Sequence, residues 1–182
     1  SPCRPPAPSG ITIGIGYDCR FPTADDLRAD WTGLLSEADI ERLIAVSGKE
    51  GNDLLRRAVD SVVVPLHAAM AVFVKRTLPL FMGRVSSIYP QVDTLPPARR
   101  AALLSLVYNR GHRLSDSNAA RQDRREMRTI RDLLAAGRPD EVGAQFESMT
   151  RLWDPVKVPG LITRGRQEAK LWNEGFAAVR LE

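Results

Sequence analysis

The chain has 182 residues, a formal net charge of +4, and 43% hydrophobic and 26% charged residues. A chain of this length can bury one hydrophobic core, in one domain with or without two lobes. No apolar run approaches the roughly 20 residues that a membrane span requires. Two cysteines exclude a disulfide-rich scaffold and a four-cysteine metal site. With two histidines far apart in sequence, we expect no metal and no cofactor, so any catalysis depends on carboxylates.

The excess of basic residues favours encounter with a polyanion such as nucleic acid, a membrane surface or an acidic cell-wall polymer, and it equally favours solubility. The basic residues are dispersed and aromatic residues make up 6% of the chain. Neither a basic stripe nor a base-stacking platform is therefore predicted. We expect no nucleic-acid partner and no membrane insertion.

The chain starts with a proline-rich lead-in over residues 1–8, so the folded domain is predicted to cover residues 9–182. The domain opens with SGITIGIGYD, in which β-branched residues alternate with small ones. Such a segment suits a hairpin strand bent by glycine, or the wall of a site where a large ligand approaches the backbone. Cys3 and Cys19 flank it and are expected as free thiols, a disulfide being the alternative in an oxidising compartment.

After a predicted loop over residues 20–35, the chain is predicted to be helical, because serine or proline starts and apolar periodicity recur. The fold class is α+β and mainly helical, with no internal repeat and no βαβ rhythm. The predicted helices run from Ser36 to near Gly48, Gly51–Val59, Pro65 to before Leu78, Leu80–Ile88, Ala98–Tyr108, Arg121–Ala136, Pro139 through Met149, and Leu161–Trp172. The core is expected around Leu103, Leu106, Val107, Ile130, Leu134 and Phe146.

Five segments follow one another along the chain: TIGIGYD, ALLSLVYNRG, REMRTIRDLLAAGR, SMTRLW and GLITRGRQEAKLW. In this order they resemble the phage-type lysozyme family, including its bacteriocin and effector-like relatives, from Ser9 to Trp172. The resemblance implies a small N-terminal β-hairpin lobe, a larger helical lobe and a saccharide cleft between them. It also implies a muramidase that hydrolyses the β-1,4 bond between N-acetylmuramic acid and N-acetylglucosamine in peptidoglycan.

The resemblance assigns several roles to the first segment. Thr12 matches a threonine that holds the hydrolytic water, although a β-branched strand residue needs no such role. Gly14 and Gly16, with Tyr17, would form a cleft wall that a glycan can approach closely. Asp18 either supports charge in the cleft or caps the turn. Thr12 and Asp18 are thus the predicted catalytic residues.

Three later residues are predicted to support the site. Asn109 and Arg110 match a helix end opposite the cleft wall, where polar groups contact acetamido sugars, while Asn109 and Gly111 could equally cap the helix. Arg164 matches an arginine that pairs with the catalytic acid in relatives. Relatives often have consecutive arginines at this point, whereas this chain has Gly165.

The general acid is the missing part of the pattern. Glycoside cleavage generally requires a pair of carboxyl groups, and in relatives the acid is a glutamate on a helix ahead of the hairpin. None of the residues before Thr12 is Asp or Glu, and Pro6 stands where many relatives have an aspartate. Either a segment bearing the acid precedes the printed chain, which we favour, or the protein is a silent lysozyme-like module that binds glycan or a protein partner.

Two glutamates and two tryptophans are predicted to be structural. Glu126, with Arg124, Arg125 and Arg128 beside it, should be ion-paired and a poor proton donor. Glu168 is likewise expected in a helix ion pair. We expect Trp153 and Trp172 in the core and not as sugar platforms.

The resemblance further implies peptidoglycan glycan strands as the partner, and action in the periplasm or cell wall after secretion or delivery. The expected form is a monomer, which an immunity or inhibitor protein could oppose. The first residues do not resemble a signal peptide.

Overall fold

The computed structural model describes residues 2–3 and 9–175, over which the chain is mainly helical with one small antiparallel sheet near its start. The predicted fold class, mainly helical α+β, is confirmed at this level. The chain divides into two compact units between Leu80 and Phe81, each with its own hydrophobic core. Residues 4–8 of the predicted lead-in, Pro6 among them, and residues 176–182 of the predicted domain lie outside the described residues.

The first unit consists of a β-hairpin and short helices. The two strands are antiparallel, with Thr12 opposite Asp18 and Ile13 opposite Tyr17. Ile13 and Tyr17 are buried and belong to the core of this unit, so the pairing fixes which side of the hairpin faces inward. The elements are β1 (Thr12–Ile13), β2 (Tyr17–Asp18), α1 (Ala24–Trp31), α2 (Glu37–Val46), α3 (Asp53–Ala58) and α4 (Leu66–Val72).

Helix α1 lies in the segment that the sequence predicted as loop, so that prediction was wrong. Thr23 and Asp26 form a capping box: Thr23 Oγ1 accepts the Asp26 N–H at 3.1 Å, and Asp26 Oδ2 accepts the Thr23 N–H at 3.1 Å. Leu27 and Trp31, four residues apart, are both fully buried. A reciprocal cap and two apolar anchors therefore suffice for a short helix that has little other apolar pattern.

The next two helices begin close to where they were predicted, because a polar side chain caps each of them. Ser36 Oγ accepts the Asp39 N–H at 3.2 Å, and Asn52 Oδ1 accepts the Leu55 N–H at 2.9 Å. Helix α2 ends two residues before Gly48, whose φ is +73°.

The sequence predicted that the helix starting at Pro65 would be followed by a break before Leu78, but the helical segment that begins with α4 continues past this point. A π-helical turn, Phe73–Thr77, follows it and leads directly into α5 (Leu78–Ile88). In this turn the Leu78 N–H bonds to the carbonyl of Phe73, five residues earlier. Pro79 then lies in the first turn of α5, where a missing N–H is tolerated, instead of in a helix interior.

Helix α5 carries the chain into the second unit, whose later helices start and end near their predicted bounds, with one difference. Residues 119–121 form a 3₁₀ turn that ends at Gln122, which has a φ of +47°. The α-helix therefore begins at Arg125, later than predicted. The helices are α6 (Pro97–Arg110), α7 (Arg125–Ala135), α8 (Val142–Met149) and α9 (Pro159–Glu174).

The core of the second unit contains the residues that were predicted for it. Trp172 on α9 lies against Phe146 on α8, with ring centroids 5.9 Å apart, and its Nε1–H donates to the Pro139 carbonyl at 2.8 Å. Trp172 is therefore a core residue, as predicted. The predicted core residues that are buried are Leu103, Leu106, Val107, Ile130, Leu134 and Phe146.

Candidate functional site

The glycines of the hairpin are required by its turn. Gly14 and Gly16 have φ values of +53° and +66°, in the left-handed region that favours glycine, and they frame the three-residue connection between β1 and β2. A Cβ on Gly14 would also come within 3.1 Å of Ala69 Cβ on α4. Both glycines are exposed. The bend that the sequence suggested thus explains them, and their role as a cleft wall stays a prediction.

Asp18 holds the base of the hairpin. Its Oδ1 accepts the backbone N–H groups of Gly10 and Arg20, each at 3.0 Å, and its Oδ2 lies 3.2 Å from the same Gly10 nitrogen. A Cβ on Gly10 would lie 2.7 Å from this carboxylate, so residue 10 must be glycine for the contact to form. Of the two roles considered for Asp18, capping accounts for its observed contacts.

Tyr17 is part of a buried polar network. Its hydroxyl donates to Asp30 Oδ2 at 2.8 Å, and Arg76 contacts the same oxygen at 3.0 Å and Asp26 Oδ1 at 3.3 Å. Burial raises the pKa of Tyr17 well above its usual value, and the hydrogen bond to Asp30 adds to the rise. The ring also packs edge-on against Trp31, with centroids 5.3 Å apart. Tyr17 therefore ties the hairpin to α1 and to the π-helical turn.

Thr12 differs from its neighbours because its side chain is unengaged. Its backbone exchanges two hydrogen bonds of 2.9 Å with Cys3, and it lies opposite Asp18 in the sheet. Its hydroxyl makes no hydrogen bond to any residue that the structure describes. Thr12 is half-buried. Among the polar side chains of TIGIGYD, the Thr12 hydroxyl is thus the group that remains available to a ligand or a water molecule.

The cysteines are unpaired. Cys3 is exposed and Cys19 is buried, and both have free thiols. Burial raises the pKa of the Cys19 thiol to about 12, and the nearby Asp18 charge contributes to the rise. Cys19 is therefore a core residue and a poor nucleophile.

In the second unit, Asn109 and Arg110 lie at the end of α6, where Gly111 stops the helix with a φ of +74°. Asn109 is exposed in the last helical turn, so the helix end depends on Gly111 and not on an asparagine cap. Both residues line a cavity of about 270 Å³, together with Asp123, Arg124, Trp153 and Leu161.

The Arg110 guanidinium is half-buried in the wall of this cavity. Its Nη2 donates to the Asp123 carbonyl at 2.5 Å, and its Cζ lies 5.5 Å from the centre of the Trp153 ring. Its Nε is buried and has no acceptor among the described residues. Burial lowers the pKa of Arg110, and the nearby Arg124 charge adds to this effect.

Arg124 was not predicted as a site residue, yet it lines the same cavity. Its Nη1 contacts the Met127 sulfur at 3.3 Å, and its Nε is buried without an acceptor among the described residues. Asp123 does not neutralise it directly, because that carboxylate is held by Ser117 and the Asn118 N–H. The Ser117 hydrogen bond lowers the pKa of Asp123 to about 2.

Glu126 is ion-paired, as predicted: of the three arginines expected beside it Arg125 is a partner, and Arg151 is a partner that was not predicted. Its carboxylate is 1% exposed and accepts from Arg151 Nε at 2.8 Å, Arg125 Nη2 at 2.8 Å and Ser148 Oγ at 3.2 Å. Burial alone would raise the pKa of Glu126, but the hydrogen bonds, led by that from Arg151, bring it below its usual value. Arg128 instead pairs with Asp116.

Glu168 is not in the helix ion pair that was predicted, because among the described residues its partner is a serine. It is 6% exposed, and its Oε1 accepts from the Ser105 hydroxyl at 2.5 Å. Burial raises the pKa of Glu168 to about 7, although the Ser105 hydrogen bond and the charges of Arg164 and Arg110 act in the opposite direction. Its burial was missed because polar neighbours surround it in the sequence, while its partner lies on a distant helix.

Arg164 is exposed on α9, and no carboxylate in the described part of the chain pairs with it. Its predicted role beside a catalytic acid stays a prediction. Gly165 is explained by packing: a Cβ there would lie 3.1 Å from Thr150 Cγ2 and 3.5 Å from the Trp153 ring. Trp153 is half-buried and packs on the core, but it also lines the cavity.

The structure brings the predicted site residues together in two groups. Thr12, Gly14, Gly16, Tyr17 and Asp18 share the hairpin of the first unit, as predicted. The second group, in the second unit, contains Asn109 and Arg110, to which the structure adds Arg124 and Trp153. The predicted cleft between a hairpin lobe and a helical lobe stays a prediction.

Comparison with known protein families and with curated proteins finds no match to this chain. No helix among the described residues is long and apolar enough to cross a bilayer. Within residues 2–3 and 9–175, no three histidine, cysteine, aspartate or glutamate side chains cluster as metal ligands do. The function is therefore inferred from the motifs and from the geometry of the two groups.

Proposed function

We propose that this chain belongs to a lysozyme-like muramidase of the phage type, which engages peptidoglycan and hydrolyses the β-1,4 bond between N-acetylmuramic acid and N-acetylglucosamine. The five ordered motifs support this proposal, as does a glycine-turned hairpin that precedes a series of helices. The chain would act in the periplasm or cell wall, without a metal or cofactor.

The observation that carries the proposal is the unengaged hydroxyl of Thr12. In the same hairpin the Tyr17 hydroxyl bonds to Asp30, and the Asp18 carboxylate bonds to backbone N–H groups. A β-branched residue chosen only for its strand preference would need no hydroxyl. Thr12 therefore suits the role of orienting the hydrolytic water, and Asp18 would position the strand that presents it.

The exposed turn beside Thr12 fits the same role. Gly14 and Gly16 present backbone without side chains at the surface, so a bulky sugar ring can approach there more closely than it could approach side-chain-bearing residues. Lysozyme-type hydrolysis of a glycan needs this kind of access for both the ring and the attacking water.

The general acid is not assigned to either buried glutamate. Glu126 is held charged by Arg125 and Arg151, so it is a poor proton donor. Glu168 stays partly protonated at neutral pH, but it is buried against Ser105 and not presented to a substrate. Since neither glutamate is suited to the role, we propose that the acid is a glutamate outside these 182 residues.

The test separates binding from cleavage. The 182-residue chain should co-sediment with insoluble peptidoglycan but release almost no reducing ends, because a positioned acid contributes about 10²–10⁴ in rate. A form that carries native upstream sequence with a glutamate should cleave. In that form Thr12→Val should lower kcat more than it weakens binding, whereas the control Thr32→Val should change neither.

A second candidate is a catalytically silent module that binds glycan or a protein partner, and it is favoured by the ion pairs of Glu126 and the burial of Glu168. This candidate predicts peptidoglycan binding with no hydrolysis by any native form of the protein. Robust lysis by the 182-residue chain alone would contradict both candidates as stated, and it would return the search for an acid to Asp18 and Glu126.

A further inference from the structure

The cavity at the end of α6 contains two cationic groups that lack a matching anion. The guanidinium groups of Arg110 and Arg124 both line it, and among the described residues neither has a carboxylate oxygen within 4 Å. Their protein acceptors are one backbone carbonyl, from Asp123, and one thioether sulfur, from Met127. By contrast, Arg128 and Arg151 nearby each pair with a carboxylate.

Leaving these two charges without an anion is costly. Buried polar groups normally have hydrogen-bond partners, yet the Nε atoms of both arginines are buried and have none among the described residues. Burial lowers the pKa of both guanidinium groups, and the Arg124 charge further disfavours the Arg110 charge. An anion in the cavity would relieve both the desolvation and the repulsion.

Among the remaining lining residues, Asp123 has its carboxylate held by Ser117 and the Asn118 N–H, and the others suit a sugar that bears the anion. Trp153 offers an aromatic ring and Leu161 an apolar side chain, both suited to the face of a pyranose ring, while the Asn109 amide can both donate and accept a hydrogen bond. Guanidinium groups pair with carboxylates through charge-assisted, often bidentate, hydrogen bonds. The cavity volume of about 270 Å³ fits one substituted sugar unit better than a chain of them.

We propose that this cavity is a binding site for an acidic sugar, whose carboxylate pairs with Arg110 and Arg124 and whose ring lies against Trp153. The identity of the natural ligand rests on the proposed function: it is the muramic acid unit of peptidoglycan. That unit carries a carboxylate on its lactyl group.

The test compares ligands that differ in one charge. Binding of N-acetylmuramic acid and of its methyl ester is measured by NMR titration of the intact chain, with N-acetylglucosamine and glucuronic acid as further ligands. The acid should bind about tenfold or more tightly than its ester, because the ester keeps an acceptor oxygen but lacks the negative charge that strengthens its hydrogen bonds to guanidinium groups. Chemical shift changes should centre on the indole N–H of Trp153.

The arginines are tested with glutamine variants, which each remove one positive charge, and with a lysine variant that keeps it. Arg110→Gln and Arg124→Gln should each remove most of the preference for the acid, and Arg124→Lys should restore part of it. Arg131→Gln, on the exposed face of α7 and paired with Asp132, should leave the preference unchanged. Thermal unfolding of each variant checks that the fold persists, and the lysine variant keeps the test informative if a glutamine variant unfolds.

The outcomes are distinguishable. Equal binding of acid and ester by the native chain, or a preference that survives both glutamine substitutions, would overturn the site. If glucuronic acid binds as tightly as N-acetylmuramic acid and depends on the same arginines, the acidic-sugar site is supported while the assignment to peptidoglycan fails. Loss of peptidoglycan co-sedimentation alone would count against the proposed function and leave the carboxylate preference intact.

Discussion

Glu126 on α7 and Glu168 on α9 are two buried glutamates of the same unit, but they differ in the hydrogen-bond donors that surround them. Glu126 accepts hydrogen bonds from two arginines and a serine, whereas Glu168 accepts one from a serine. The pKa of Glu126 therefore falls below its usual value, while that of Glu168 rises to about 7. Burial alone does not set the ionisation of a carboxyl group, because the donors that accompany it decide the direction.

The comparison also separates two ways in which a glutamate serves this unit. Arg151, which pairs with Glu126, also donates to the carbonyls of Arg121 and Gln122. The ion pair therefore also holds the backbone of this short segment before α7 in place. Glu168 makes one bridge, from α9 to Ser105 on α6. Replacing Glu126 should therefore weaken the attachment of the segment at residues 121–122. Removing the charge of Glu168 should remove the free-energy cost of burying that charge.

The largest expected effect on the free energy of unfolding comes from a core residue, Leu106, against which the effects of the two glutamates can be compared. Leu106, 1% exposed on α6, neighbours Ser105 in the sequence and packs in the core of the second unit. Leu106→Ala should lower the free energy of unfolding by about 2–5 kcal/mol, at pH 5 and at pH 8 alike, because no ionisable group changes. Denaturant titration followed by tryptophan fluorescence measures it. Val156→Ala, at an 87% exposed position, is the control, and a loss under about 1 kcal/mol for Leu106→Ala would show that α6 is misassigned.

The next effect is the pH dependence that Glu168 causes. Its pKa is about 7 in the folded chain and 4.5 in the reference state, so the folded state binds the extra proton between these values. The contribution of Glu168 to the free energy of unfolding is thus greatest below pH 4.5. It falls by roughly 3 kcal/mol in total as the pH rises through 7. Glu168→Gln should remove this slope and be more stable than the parent at pH 8. Parallel slopes for parent and variant would contradict the raised pKa.

Glu126→Gln should act with the opposite sign. Because the folded pKa of Glu126 is depressed, its contribution is present above 4.5 and lost as pH falls through the folded value. We expect a loss of about 1–3 kcal/mol at pH 7, less than for a fully buried pair because Arg125 and Arg151 are 49% and 34% exposed. The loss should shrink in acid. Glu147→Gln, at an exposed position on α8, should cost far less.

The smallest effect concerns the serine that supports Glu168. Ser105→Ala removes a hydrogen bond that lowers the pKa of this carboxyl, so the pKa should move further above 7. The titration midpoint is measured by NMR of the side-chain carboxyl carbon. A stability loss of about 1 kcal/mol at pH 8 should accompany the shift. If the midpoint instead moves down, the hydrogen bond does not stabilise the charged form.

The parts of the fold that local patterns control could be predicted from the sequence. The glycine spacing predicted the hairpin, and the prolines before α6 and α8 predicted where those helices begin. Helix α1 was missed because its signal is a cap at Thr23 and not an apolar stripe. The direct continuation of α4 into α5 was missed because it depends on a π-helical turn, which has no clear signature in the amino-acid composition.

The candidate site was less predictable because its chemistry depends on distant partners. The hydrogen bond between Ser105 and Glu168 joins residues 63 apart in sequence, and the pairing of Glu126 with Arg151 joins residues 25 apart. Sequence neighbours suggested Arg124, Arg125 and Arg128 for Glu126, and of these Arg125 pairs with it whereas Arg124 and Arg128 contact Met127 and Asp116. Adjacency along the chain thus identified one partner and missed Arg151, which only the fold brings close.

Gly165 has an evolutionary consequence. Helix α9 passes so close to Thr150 and Trp153 that a methyl group at position 165 would already press on the threonine. A larger side chain at position 165 fits only if these neighbours move away. Among homologues of this chain, residues 150 and 165 should therefore change together, with a bulkier residue at 165 accompanied by glycine or alanine at 150. A homologue with arginine at 165 and threonine kept at 150 would have to separate these two segments and weaken the packing around Trp153.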